Sequence, residues 1–377
     1  MNVGVFFEKS ADAYHQKKEF LSRLVNDGHR VFLYALTRDY YPELEEIGCI
    51  CIYSRFSPKT WSKNDIKKKD RRKIGAKYRS LFKMLNIDFI FTFGALFTRT
   101  VALEATISGI KVIPTIGENG EEASSLANHS KIYRKVYNAI FDKAPVVFFE
   151  DKFSCDLMAN FGVIPQRKRI VLGAGINLKE SVYEFYPELL EGNKIKILIV
   201  TVFESLCDAQ GVIEETIKLK KVFGDFEVDI LAKGVKKTSK KFIEKGEKKG
   251  VFKYVGSDFS NKEILKDYHG IIFTCSEYGS ANLAMEAVAM GRPIIVSEYC
   301  QLGEFVEDKK SGYIYKPIYK KSFQKKLIAF LQKSYEEKKM MGIQGRKFAE
   351  EMLDRNLINN AYMYEMNRII DIMLNQD

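Results

Sequence analysis

A carboxylate and a run of small residues carry the chemistry most visible in this sequence. In SEYGSANLAMEAVAMGRPIIVSE, residues 276–298, Gly279, Ser280, Ala281 and Asn282 lead into an apolar helical pattern that carries Glu286. Small side chains let a ligand approach the backbone closely. The unbonded N–H groups at a helix start, with the helix dipole, suit a phosphate or a sugar hydroxyl. A carboxylate nearby can accept two hydrogen bonds from a vicinal diol such as a ribose. The same residues also suit an ordinary strand-to-helix turn whose carboxylate serves the helix dipole. Spacing alone leaves both readings open.

Such a turn needs a strand before it and a helix after it. IIFTCS (271–276) predicts the strand, Gly291 ends the helix, and Pro293 opens the next apolar run, Ile294-Ile295-Val296. This unit closes a longer series. Strands are predicted at 194–203, 227–234 and 251–256, with helices at 211–224, 239–250 and 261–270 between or after them. The first half has the same rhythm. Strands are predicted at 2–7, 31–36, 88–94, 111–115 and 146–150, and helices at 17–29, 98–109, 130–144 and 151–162. Continuous apolar strands separated by helices imply parallel sheets covered on both faces. The expectation is a first domain over 1–180, a linker over 181–193 and a second domain over 194–355. A helix in 356–377 is expected to cross back to the first domain. Ligands of doubly wound sheets bind beyond the carboxyl ends of the strands, where strand order reverses.

The formal charge of +11 is concentrated. Residues 59–79 hold ten basic and two acidic residues, net +8, with Lys67, Lys68, Lys69, Arg71 and Arg72 at the centre. Ile74, Tyr78, Leu81, Phe82 and Leu85 recur at helical spacing beside them, so the segment reads as a basic amphipathic helix. It suits an anionic membrane surface or a lipid-linked acceptor. A solvated helix packed on its own domain is the competing reading, and no nucleic-acid partner is expected. The six cysteines show no CxxC and no framework spacing, which predicts reduced thiols in the cytoplasm. Four histidines without clustering predict no protein-built metal site, and, separately, no resident cofactor is expected. The first twenty residues do not read as a signal peptide, and no apolar run approaches the ~20 residues of a membrane span.

EYGSANLAMEAVAMGRPIIVSE resembles the donor-site motif of retaining GT-B glycosyltransferases of family four. NDGHRVFLYA (26–35), LGAGINLKE (172–180), FKYVGSDFSNKEILKDYHGIIFTCS and EDKKSGYIY (307–315) resemble further family segments in the same order. The resemblance runs nearly end to end, and within the family it is similar to bacterial transferases that extend sugars on undecaprenyl pyrophosphate. It implies an α/β GT-B fold of two Rossmann-like domains facing across a cleft. It also implies a nucleotide sugar, UDP- or GDP-linked, as donor and a lipid-linked or polymeric surface glycan as acceptor. Glu286 then holds the nucleotide ribose, and the amides of Gly279, Ser280, Ala281, Asn282 and Leu283 cradle donor phosphate and hexose. Gly175 and Asn177 approach the nucleotide, and Glu118, in TIGENGEEASS, faces the acceptor.

The chain departs from the family pattern at three places. The first motif glutamate is replaced by Tyr278, with Glu277 one position early. The turn FESLCDAQGV has Gln210 where the family carries a cation for the diphosphate, leaving Lys233 to supply charge from the next strand. No histidine follows strand 88–94, and His15 is the remaining candidate for a catalytic imidazole. An active transferase, in the cytoplasm or peripheral at the inner face of the plasma membrane, is one expectation. A catalytically silent GT-B protein that binds or scaffolds another glycosyltransferase is the other.

Overall fold

The computed structural model describes residues 1–7, 10–35, 39–53, 68–94, 97–117, 131–173, 175–190, 194–203, 209–224, 226–275, 280–298, 301–317 and 319–374. It separates into two compact units. The first comprises Met1–Ala174 and Asn356–Asp377, the second Gly175–Arg355.

The first unit is built on seven parallel strands: β1 (Asn2–Phe7), β2 (Arg30–Ala35), β3 (Ile50–Tyr53), β4 (Phe89–Phe93), β5 (Lys111–Ile116), β6 (Val147–Phe149) and β7 (Arg169–Val171). Their order across the sheet is β3-β2-β1-β4-β5-β6-β7, so the order reverses at β1. Both faces are covered, which is why the strands read as unbroken apolar runs. In β4, Phe89, Phe91 and Phe93 enter one core with the helix Ser10–Asn26, while Ile90 enters the other with the helix Lys68–Met84. That alternation is the two-residue period of a strand. Strand β3 was not expected. It is four residues long, among the described residues pairs with β2 alone, and is only partly buried, so its pattern is too weak to read.

The helix Arg355–Leu374 completes the first of these cores. Ile358, Tyr362, Met363, Met366 and Ile369 are buried there beside Phe20, Phe93 and Phe148. The Tyr362 ring lies 4.2 Å from that of Phe148 and 5.4 Å from that of Phe20.

The second unit repeats the topology with six parallel strands: β8 (Ile195–Val202), β9 (Phe226–Lys233), β10 (Lys253–Gly256), β11 (Gly270–Phe273), β12 (Ile294–Ser297) and β13 (Gly312–Tyr315). The order is β10-β9-β8-β11-β12-β13, reversing at β8. Where a helix was expected over 261–270, a 3₁₀ stretch, Lys262–Asp267, is found. Among the described residues no helix is long and apolar enough to cross a membrane.

Candidate functional site

The carboxyl ends of β8 and β11 flank the point where strand order reverses in the second unit. Thr201 and Thr274, at those ends, share a buried 2.6 Å hydroxyl contact that ties the two strands together. The helix Ser280–Ala289 follows β11. Ser280 is buried, and its hydroxyl donates to the Cys275 carbonyl at 2.8 Å, fixing the entry to the helix. Leu283, Ala284, Met285, Ala287, Val288 and Ala289 are all buried. Asn282 and Glu286, one turn apart on the remaining face, are the polar side chains this helix leaves uncovered.

That face lines a pocket of about 220 Å³ with Lys233, Phe259, Ser260, Lys262 and Leu283. Glu286 is the seventh residue of its helix, beyond the first turn, where a dipole contribution has faded. The dipole explanation of this carboxylate therefore fails. Its Oε1 stands 3.6 Å from the Lys262 Nζ. Its Oε2 is buried and has no hydrogen-bond partner among the described residues. A buried, unbonded carboxylate oxygen costs on the order of 1–3 kcal/mol, and that cost is removed when a ligand donor reaches it.

Two ammonium groups share the pocket with this carboxylate. Lys233 ends β9, and its Nζ lies 4.6 Å over the ring of Phe259. Beside them the Ser260 hydroxyl and amide both donate to Asp258 Oδ1, at 2.6 and 2.9 Å. Those bonds, with Lys233 nearby, hold the Asp258 carboxyl below its usual range. Lys262 donates to the Glu180 carbonyl at 3.0 Å. The pocket thus combines a carboxylate oxygen that is unbonded among the described residues with two ammonium groups.

The other expected residues fall in different places. Ala281 is half-buried at the start of the helix, and Leu283 is buried beneath the pocket. Gly175 has φ +72°, in the left-handed region, and precedes Ile176, whose amide donates to the Leu353 carbonyl. Asn177 builds a turn: its Nδ2 donates to Glu180 Oε1 at 2.9 Å and its Oδ1 accepts from the Lys179 amide at 3.1 Å. Gln210 is exposed, outside the pocket lining, and donates to Glu214 Oε1 at 2.8 Å. Glu277, Gly279, Glu118 and Lys67 lie outside the described residues. His15 lies in the helix Ser10–Asn26, and Lys68, Lys69, Arg71 and Arg72 open the helix Lys68–Met84; their side chains are likewise outside the described set.

Two groups escaped the sequence reading. Lys262 follows β10, a turn that was not weighed as a source of charge; inspecting every strand end in that half would have found it. In the first unit Lys17 is buried and pairs with Glu150 at 3.6 Å, just beyond β6. A Cβ on Gly117, just beyond β5, would overlap that carboxylate. The Lys17 ammonium also lies 4.7 Å over the Tyr362 ring, so the pair ties the final helix to this end of the sheet.

Comparison with known proteins gives the same architecture a wider setting. Residues 184–348 match the family model described as glycosyl transferases group 1. A search of curated proteins finds no match. Among solved structures, the chain is similar to a glycosyltransferase from Rickettsia africae ESF-5, at 14% identity and TM-score 0.75, covering 98% of each chain. It is similar to HepE of Anabaena in complex with UDP and glucose, at 10% identity and TM-score 0.68, covering 97% of this chain and 99% of the other. It is also similar to the lipopolysaccharide outer core galactosyltransferase WaaB, at 13% identity and TM-score 0.67, covering 97% of this chain and all of the other. The fold is therefore GT-B, with two doubly wound α/β units of parallel strands.

Proposed function

We propose that this GT-B chain, whose second unit matches the group 1 glycosyltransferase model, is a retaining glycosyltransferase of family four. It moves a sugar from a UDP- or GDP-linked donor to a lipid-linked or polymeric glycan acceptor in surface polysaccharide assembly. The observation that carries the reading is Glu286, with one oxygen buried and unbonded among the described residues, in a pocket lined by two ammonium groups. The carboxylate accepts the ribose hydroxyls, and Lys233 supplies the charge that the turn at Gln210 lacks. In retention of this kind the bond from the anomeric carbon to the diphosphate breaks, and a bond to the acceptor oxygen forms on the same face. The acceptor proton passes to the departing phosphate oxygen, so the chain itself has only to bind, orient and exclude water. Neither a metal nor a resident cofactor takes part. The basic segment around Lys67–Arg72 holds the protein at an anionic membrane that carries the acceptor.

Gln210, where the resemblance expects a cation, favours a second reading: a catalytically silent GT-B protein that acts as a binding or scaffolding partner of another glycosyltransferase. Titration calorimetry with UDP, GDP and ADP, together with donor turnover, separates the two. Glu286→Ala is expected to weaken the preferred nucleotide by at least about 10-fold, roughly 1.4 kcal/mol. A wild type that binds no nucleotide would remove the enzyme reading and leave the second, and a variant that binds as well as wild type would remove the ribose assignment of Glu286. Binding without turnover selects the second.

A further inference from the structure

The pocket contains a tether whose parts are far apart in sequence. The backbone turn at 177–181 is closed by the amides of Glu180 and Ser181 donating to the Asn177 carbonyl, at 3.1 and 2.9 Å. The Asn177 side chain braces it through Glu180 Oε1. This turn presents the Glu180 carbonyl to the Lys262 ammonium. Lys262, so anchored, faces Oε1 of Glu286 at 3.6 Å, an ion-pair distance rather than a hydrogen bond. The side chains of Lys262 and Glu286 are 29% and 19% exposed, so solvent screens the pair only in part. The carboxylate is thereby held with Oε1 toward the ammonium, while Oε2 stays buried and unbonded among the described residues.

We infer that Lys262 is a positioning residue that fixes the Glu286 carboxylate for one ligand hydroxyl, and so sets preference for a ribose over a 2′-deoxyribose. The inference rests on the nucleotide reading of this pocket. A carboxylate that is free to turn can exchange a missing ligand hydroxyl for water. A tethered one cannot, so a ligand lacking the hydroxyl leaves Oε2 buried and unpaired. That asymmetry, a site built for a hydroxyl rejecting the analogue without it, is the strongest form of polar discrimination. Lys262 does not have to touch the ligand to produce it.

The test measures the affinity of UDP, GDP and their 2′-deoxy counterparts for wild type, Lys262→Met, Lys262→Arg and Glu286→Ala. Thermal midpoints are recorded in parallel. Wild type is expected to prefer the ribonucleotide by about 10-fold or more. Lys262→Met should lose most of that ratio, chiefly by weakening the ribonucleotide, at an unchanged midpoint; Lys262→Arg should retain it. Equal weakening of both nucleotides in Lys262→Met would make Lys262 a plain counter-charge and overturn the inference, as would a ratio equal to wild type. If Glu286→Ala binds like wild type, or wild type binds neither nucleotide, the nucleotide reading fails first.

Discussion

Arg292 and His269 show how single buried polar groups are made tolerable in the second unit. Arg292 is 1% exposed, and its five N–H groups meet the carbonyls of Leu265, Glu184, Met290, Phe185 and Lys266 at 2.9–3.2 Å. His269 lies nearby, buried, its Nδ1 accepting from the Lys196 amide at 3.0 Å. Burial, with the positive charge of Arg292 next, pushes its pKa down from 6.5 to about 4. The folded value lies below the unfolded one, so as pH falls the unfolded chain takes up the proton first. The contribution is intact above pH 6.5 and is lost progressively toward pH 4, with an upper bound on the order of 3 kcal/mol. Urea titrations at steps across this window should show wild type losing that much more than His269→Asn, which keeps an acceptor for Lys196. Parallel curves would mean that His269 titrates alike in both states. At this scale the sequence was partly legible. The turn and Glu286 stand out because small residues and a lone carboxylate interrupt an apolar pattern. Lys262 does not, because its neighbour is 24 residues away and only the sheet order brings the two together.

The helix Lys68–Met84 settles what its apolar stripe is for. Tyr78 and Phe82 are buried, and Ile74, Leu81 and Leu85 pack against the same core. The rings of Tyr78 and Phe82 meet Phe6 edge-on at 6.3 and 6.1 Å. That stripe belongs to the domain interior and is not available to insert into lipid. Any membrane contact must then come from charge, each Lys or Arg near an anionic surface contributing about 1 kcal/mol at low ionic strength. Replacing Lys67, Lys68, Lys69, Arg71 and Arg72 with Gln should release the protein from anionic vesicles while leaving its thermal midpoint within a few degrees. Co-sedimentation equal to wild type at low salt would refute the membrane role. Elements with one clear period were legible: the interior strands and the long amphipathic helices. Edge strand β3 and the 3₁₀ stretch Lys262–Asp267 were not, since a few half-buried residues carry no distinctive period.

For the whole molecule, two series of alternating strands and helices announced two doubly wound sheets, and both sheets have the same strand order about their first strand. Periodicity marks the final helix, and its expected return to the first domain depends on where an uncovered apolar face remains. Here the helix Arg355–Leu374 covers Phe20, Phe93 and Phe148 in the first unit. Its five buried side chains contribute roughly 1.5–3 kcal/mol each, a sum comparable with the whole stability of a domain. Deleting residues 356–377 should therefore abolish the unfolding transition of the first unit and expose a dye-binding apolar face, with the second unit still melting cooperatively. An unaltered first transition would refute this. The same connection imposes an order on synthesis. The first 174 residues leave the ribosome long before the helix that completes their core, with roughly 180 residues of the second unit translated in between. At about 5–20 residues per second the nascent sheet waits roughly 10–40 s with one aromatic face bare. During that interval the bare aromatic face is open to association with other chains.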